Sequence, residues 1–325
     1  MDLLIQRCAN VVAASPHLSL DGDAAERTAR ECLAEQLRLP RWSGPAMLAG
    51  VSDDAVVTWL LVYNAINYSY YPDQGQARWW AEIEGIPFGQ DDEALGIMAV
   101  VAEAIRQGLP LHDGVWLQKL DLDGLGQLLG RAPLAGELPL LDSRLSSLHE
   151  LGRAFDKWGA PSAMVQAAQG SAIGLVDLLV RECPTWDDQR QRSGVVLPFR
   201  KRAQLCVAMI YGRLGGLGLG AFDDVDRLTA FADYRLPQIL RWMGILVLEP
   251  ALARHIDGGR DLLLGSDQET DLRAATVMGA ELLRLALIKR FPKVNALIVD
   301  HFLWRSAVEN QDDLPPFHRT RTTDY

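Results

Sequence analysis

With 325 residues, 49% hydrophobic and 23% charged, the chain has the composition of a folded globular protein long enough to bury a substantial core. A formal net charge of −10 excludes the broad surplus of Lys and Arg that duplex nucleic acid requires, while leaving room for a local basic pocket. The N-terminus lacks the basic and long apolar regions of a secretory signal, and no stretch reaches the ~18 uncharged apolar residues of a membrane span, so a cytoplasmic protein without a membrane partner is expected.

In chain order, a first helix is predicted over 23–37. Ser52 precedes a second from 53 to 68, whose apolar residues at 56, 59, 60, 63 and 66 form one stripe. Helices follow over 92–107, 142–158 and 162–182, with Gly159 closing the middle one. Pro198 is placed at the start of a helix over 198–214, and Gly244 after one over 237–243. Ser266 and Glu269 have the spacing of a capping box at the head of a run that ends near Arg290, and Pro292 opens a last helix over 292–308. Strand-like alternation is confined to GVWLQKL at 114–120 and VVLPF at 195–199. The predicted fold class is therefore all-α, mainly helical with at most a few short strands. No repeat or linker divides the chain. It reads as a single helical unit over 1–325, separable into two lobes at a seam near 131–141, RAPLAGELPLL.

Several stretches could carry chemistry. NAINYSYYPD, residues 64–73, ends a helix with three tyrosines followed by Asp73, a set that suits a planar heterocycle and equally describes a core wall with a turn. Lys201, Leu205 and Ala208 share one helical stripe, so Lys201 points inward or along a cleft unless it snorkels its ammonium to water. Arg200, Lys201 and Arg202 oppose the helix dipole, which a bound anion such as phosphate would offset. GRLGGLGLGAF, 212–222, fits no G-x-G-x-x-G spacing and follows a helix, so it reads as a flexible turn. It leads to LTAFADYRLPQIL, 228–240, where Asp233 stands among apolar neighbours, a costly place for a carboxylate that is not paired, hydrogen-bonded or used. PPFHRTRTTDY, 315–325, is a polar tail of the kind that frays, and one that ended in a pocket would offer phosphate ligands.

The four cysteines lie far apart and are expected to be buried thiols. The six histidines are isolated and G-x-S-x-G is missing, so neither a metal site nor a serine nucleophile is expected. A carboxylate, a lysine, aromatic rings and scattered arginines remain. That set suits N-glycosidic cleavage, where the departing base leaves an oxocarbenium-like cation that needs a fixed anion and a positioned water.

FRKRAQL at 199–205, FDDVDRLTAFADYRLPQIL at 222–240, NAINYSYYPD, DLRAATVMGAELLR at 271–284, VNALIVDHFLW at 294–304 and the terminal PPFHR together resemble the queuosine salvage protein family, from about residue 50 onward. The resemblance implies an N-glycosylase that hydrolyses queuosine 5′-phosphate, or queuosine, to release queuine. It further implies a fold similar to the helix-hairpin-helix DNA glycosylases, a small-molecule nucleotide substrate, and no metal or other cofactor. A monomer is expected. Matched to the family's motifs, the catalytic aspartate falls on Asp233 and the motif lysine on Lys201. Asp233 would stabilise the ribosyl cation and orient or deprotonate the attacking water, with Lys201 holding it charged and in place. Tyr70, Tyr71, Phe199 and Tyr234 would sandwich the deazaguanine ring, and Asp73 would bind its polar edge or the amine of its cyclopentenediol. Arg202, Arg235, His318, Arg319 and Tyr325 are the candidate phosphate ligands. Two other readings fit the same residues: a glycosylase for another nucleoside or for nucleic acid, and a non-catalytic helical binding scaffold.

Overall fold

A computed structural model describes residues 2–44, 47–73, 75–89, 93–132 and 137–325. The chain begins with α1 (Asp2–Ala14), β1 (Leu18–Leu20), α2 (Gly22–Glu31), α3 (Asp53–Ala65), β2 (Ala81–Ile83), β3 (Ile86–Phe88) and α4 (Glu93–Arg106). It continues through α5 (Gly114–Gln118), α6 (Leu122–Leu128), α7 (Leu141–Trp158), α8 (Pro161–Ala167), α9 (Ala172–Glu182), β4 (Gln189–Arg192) and β5 (Val195–Pro198). The last part comprises α10 (Lys201–Arg213), α11 (Arg235–Trp242), β6 (Leu246–Leu248), α12 (Pro250–Asp257), α13 (Asp267–Leu287) and α14 (Ala296–Glu309). The strands form three antiparallel pairs, β1 with β6, β2 with β3 and β4 with β5, so the protein is mostly helical. Among the described residues no helix is long and apolar enough to cross a membrane.

Polar caps set where many helices begin. Ser52, Ser171, Ser266 and Asn295 each accept a backbone N–H from the first turn of α3, α9, α13 and α14. Glu269 does not return to the Ser266 N–H as a capping box would; its carboxylate takes Arg190, the Gly265 N–H and the Tyr325 hydroxyl instead. Residues 114–118 are helical rather than extended, because Asp113 accepts the N–H groups of Val115 and Trp116 and so caps α5. The helix expected over 162–182 is two, α8 and α9, parted by Gln169 and Gly170 at φ 50° and 79°. Pro198 ends β5 instead of opening α10, and Pro292 lies ahead of the Asn295 cap of α14. The glycine-rich stretch is a turn, with Gly215, Gly216 and Gly218 at positive φ. α1, α6 and α12 are not anticipated by the sequence pattern; packing against the rest of the protein supports such short helices.

α3, buried on every side from Val56 to Ala65, is the centre of a first apolar cluster shared with α4 and α7 to α10. A second cluster is built by α2 and α11 to α14, and a smaller third fits α1 against β5 and α13. The seam at 131–141 falls partly on 133–136, outside the described residues; Leu138 is buried in the first cluster and Leu141 packs against it. All four cysteines are buried and free, as expected. Residues of the first two clusters meet at a cavity.

Candidate active site

Two helices turn a stripe each toward that cavity. α10 supplies Lys201, Leu205 and Met209, and α14 supplies Leu297, Asp300, His301 and Trp304, both at the three-to-four-residue spacing of one helix face. The turn before α11 adds Phe231, Asp233, Tyr234 and Arg235; the end of α3 and the segment after it add Tyr63, Asn67 and Tyr70. With Trp42 and Tyr325 these residues bound a cavity of about 430 Å³. Trp42 reaches it because the chain at Pro40–Trp42 crosses α10 at Gly212, where a Cβ would meet the Pro40 carbonyl and come 2.7 Å from the Trp42 ring. His301 stacks on Trp304 with ring centroids 6.0 Å apart and planes at 21°. Burial, reinforced by Arg305, pushes its imidazole down to about 4, so this wall is uncharged at neutral pH.

Asp233 answers the question its apolar neighbourhood raises. Its Oδ1 accepts the N–H groups of Arg235 and Leu236 at 2.8 and 3.0 Å, capping α11, and its other oxygen accepts no hydrogen bond from the described residues. One oxygen thus serves the helix, and the carboxylate still lines the cavity. Lys201 does not snorkel: it is 5% exposed and lines the same cavity. It makes no direct ion pair with Asp233 or Asp300, and the three act on one another across the cavity. Burial lowers the Lys201 ammonium from its ordinary value, against the pull of Asp233 and Asp300 and with Arg202 and Arg273 adding to the fall.

The anion wanted by the first turn of α10 comes from the protein itself. Asp188 accepts the Lys201 N–H at 3.2 Å and grips the Arg273 guanidinium at 2.6 and 2.5 Å, both side chains being fully buried. Burial would raise the Asp188 carboxyl, but Arg273, with Arg190 and the Lys201 N–H, holds it below the usual range. Arg273 also donates through Nε to the Ala232 carbonyl, next to Asp233, and its guanidinium lies over the rings of Phe199 and Tyr325 at 4.2 and 4.6 Å from their centroids. Arg200 pairs with Asp177 and Asp187.

Residues 315–325 are not frayed. The Tyr325 carbonyl accepts the Ser69 N–H at 3.0 Å, its hydroxyl donates to Glu269 at 2.9 Å, and Asp324 pairs with Arg190. The tail thereby seats Tyr325 in the cavity wall beside Tyr70, whose own segment is pinned by Arg144 through the carbonyls of Ile66, Tyr68 and Ser69.

Of the residues singled out from the sequence, the cavity therefore gathers Asp233, Lys201, Tyr70, Tyr234, Arg235 and Tyr325. It does not gather the other six. Tyr71 stands behind Tyr234, ring edge to face at 5.9 Å. Asp73 is exposed and pairs with Arg321 at 2.7 Å. Phe199 is buried under Arg273. Arg202, 1% exposed, spends its guanidinium on the carbonyls of Asn64, Ala65 and Thr185. His318 lies 3.4 Å from the Tyr325 hydroxyl, its imidazole pushed down to about 3 by burial and by Arg273. Arg319 pairs with Asp261 at 3.0 Å. Trp42, Asn67, Asp300, His301 and Trp304 are cavity residues that sequence reasoning passes over, although a 297, 300, 301, 304 stripe is visible in VNALIVDHFLW. Arg235 lies over the rings of Tyr234 and Phe317 and makes no ion pair among the described residues. Among those residues no three His, Cys, Asp or Glu side chains gather as a metal site would require.

The comparisons with known proteins agree with one another. A family model described as queuosine salvage protein matches residues 48–325. The chain is 34% identical over 317 residues to a protein of Sphaerobacter thermophilus named queuosine 5′-phosphate N-glycosylase/hydrolase, covering 97% of this chain and 95% of that one. Proteins of the same name from Mus musculus and Schizosaccharomyces pombe are 30% and 24% identical, over 84% and 83% of this chain and 83% and 80% of theirs. The chain belongs to the queuosine salvage protein family.

Proposed function

We propose that this protein hydrolyses the N-glycosidic bond of queuosine 5′-phosphate and releases queuine. The observation that carries the reading is the placement of Asp233 and Lys201 on one ring-lined cavity of about 430 Å³, a size suited to a nucleotide. In this scheme the Asp233 carboxylate faces the anomeric carbon, stabilises the ribosyl cation as the base leaves, and receives a proton from the attacking water. Lys201 positions that carboxylate across the cavity. Tyr70, Tyr234 and Tyr325 enclose the sugar and base, and Arg235 meets the 5′-phosphate. The family's resemblance to helix-hairpin-helix DNA glycosylases supports assigning that fold here, with α10, the glycine-rich turn and the Asp233 turn as its functional part. In this reading the protein acts on a small nucleotide as a cytoplasmic monomer.

The decisive experiment incubates the purified protein with queuosine 5′-phosphate and, separately, with queuosine, and follows free queuine by chromatography. Release from the phosphate is expected; no queuine from either substrate refutes the reading. Lys201→Met is expected to lower kcat by about a hundredfold, the scale of one electrostatic group in a dry site. A raised KM at unchanged kcat would instead assign Lys201 to the phosphate. Arg235→Met is expected to raise KM for the 5′-phosphate by between about tenfold and a hundredfold, the worth of one charge-assisted hydrogen bond, without changing KM for the nucleoside. Equal effects on both substrates would remove Arg235 from the phosphate.

A further inference from the structure

α14 sets a second carboxyl into the cavity wall. Asp300 is 8% exposed, and its Oδ1 accepts the Phe231 N–H at 2.8 Å, two residues ahead of Asp233. Oδ2 accepts nothing from the described residues, and the side chain lines the cavity with Asp233 and Lys201. The site therefore holds two acids and one amine, and the scheme above uses only one of the acids. In a 7-deazaguanine, position 7 is carbon, so protonation at that nitrogen, the route that eases loss of guanine or adenine, does not exist. A base of this kind leaves as a poor anion unless an acid meets it elsewhere.

We propose that Asp300 is the general acid of the reaction, delivering a proton from Oδ2 to the departing base. The proposal rests on the glycosidic reading above. As the bond from C1′ to the base nitrogen breaks, its electron pair stays with the base, which takes the Asp300 proton. Water adds to C1′ and gives a proton to Asp233; exchange with solvent then returns one proton to Asp300 and removes one from Asp233. The surroundings suit the role. Burial raises the Asp300 carboxyl well above the usual range and Asp233 adds to the rise, against the Phe231 N–H and Lys201, so it stays protonated where an exposed aspartate would not. Asp233 from the turn before α11 and Lys201 from α10 are the charges that act on it, while Arg273 of α13 and Arg202 act on Lys201, and His301 beside it is neutral.

The test is the pH profile of kcat for the unaltered protein and for Asp300→Asn, which keeps an acceptor for Phe231 but has no proton to give. The unaltered protein should lose kcat as pH rises through the Asp300 value. Asp300→Asn should lower kcat by about a hundredfold with little change in KM and lose that alkaline limb, while Asp300→Glu recovers part of the rate. Unaltered kcat in Asp300→Asn overturns the proposal, as does an alkaline limb that persists in it, since such a limb belongs to Lys201. Should Asp300→Asn fail to fold, a flat alkaline profile of the unaltered protein overturns it equally. Queuine release with an idle Asp300 removes only the acid; no release at all removes the glycosidic reading and the acid with it.

Discussion

Asp233→Asn is expected to lower kcat by about a thousandfold or more while leaving the melting temperature close to that of the unaltered protein. The two halves of this expectation come from the two oxygens of one side chain. Oδ1 caps α11 through the N–H groups of Arg235 and Leu236. Asparagine keeps a carbonyl oxygen of the same reach and is as good a cap as aspartate, so α11 loses little. The second oxygen has no donor among the described residues. What asparagine removes is the negative charge that the proposed reaction sets against the sugar, which matters only once positive charge develops there. Ligand binding should accordingly survive: nucleotide still raises the melting temperature, yet queuine does not appear. Turnover near the original rate would show that Asp233 is a helix cap and nothing more. A variant that unfolds would show that the charge, rather than the cap, holds the turn, and Asp233→Ser, a cap without a carboxylate, would then separate the two.

The legible part of the site is the part fixed by local pattern. Lys201 heads an apolar stripe and Asp233 interrupts one, and each oddity marks a group on the cavity. Asp300 carries the same mark in VNALIVDHFLW, an acid within the stripe of Leu297, His301 and Trp304. What no local pattern yields is which partner a ring or cation finds across the chain. Tyr70 and Tyr71 are neighbours in sequence, and opposite faces of their segment send one to the cavity and the other behind Tyr234. Arg202 follows Lys201 and looks as available for a phosphate, but it is buried and three carbonyls from residues 64, 65 and 185 engage its two terminal nitrogens. Trp42 enters the wall only because Gly212, 170 positions away, lets two backbones approach. Helix positions behave similarly: the Ser52 and Ser266 starts are readable, whereas the Ser171 cap is hidden inside a continuous helical pattern, Pro292 masks the Asn295 cap, and Pro198 suits a helix start or a strand end until β4 pairs with it.

The largest effect on stability is expected from Asp188→Asn, a loss of about 3–5 kcal/mol, because it leaves a buried guanidinium without its anion. Arg273 is fully buried, and its other acidic neighbour, Glu269, stands 3.9 Å away and is shared with Arg190 and Tyr325. The pH dependence supplies an independent sign. The Asp188 carboxyl is held below its ordinary value in the folded state, so its contribution is present above the unfolded carboxylate value of about 3.9 and is lost as pH falls through the folded one. The unaltered protein should therefore lose stability in acid more steeply than Asp188→Asn, and the two denaturation curves should converge at low pH. Function should suffer as well, since Asp188 caps α10 at Lys201 while Arg273 holds the carbonyl next to Asp233 and the ring of Tyr325. Removing both charges together, in Asp188→Asn with Arg273→Met, should cost less stability than the sum of the two single changes. Additive losses would mean that the pair does not couple and that the Lys201 and Asp233 turns are held apart from one another, each by its own packing.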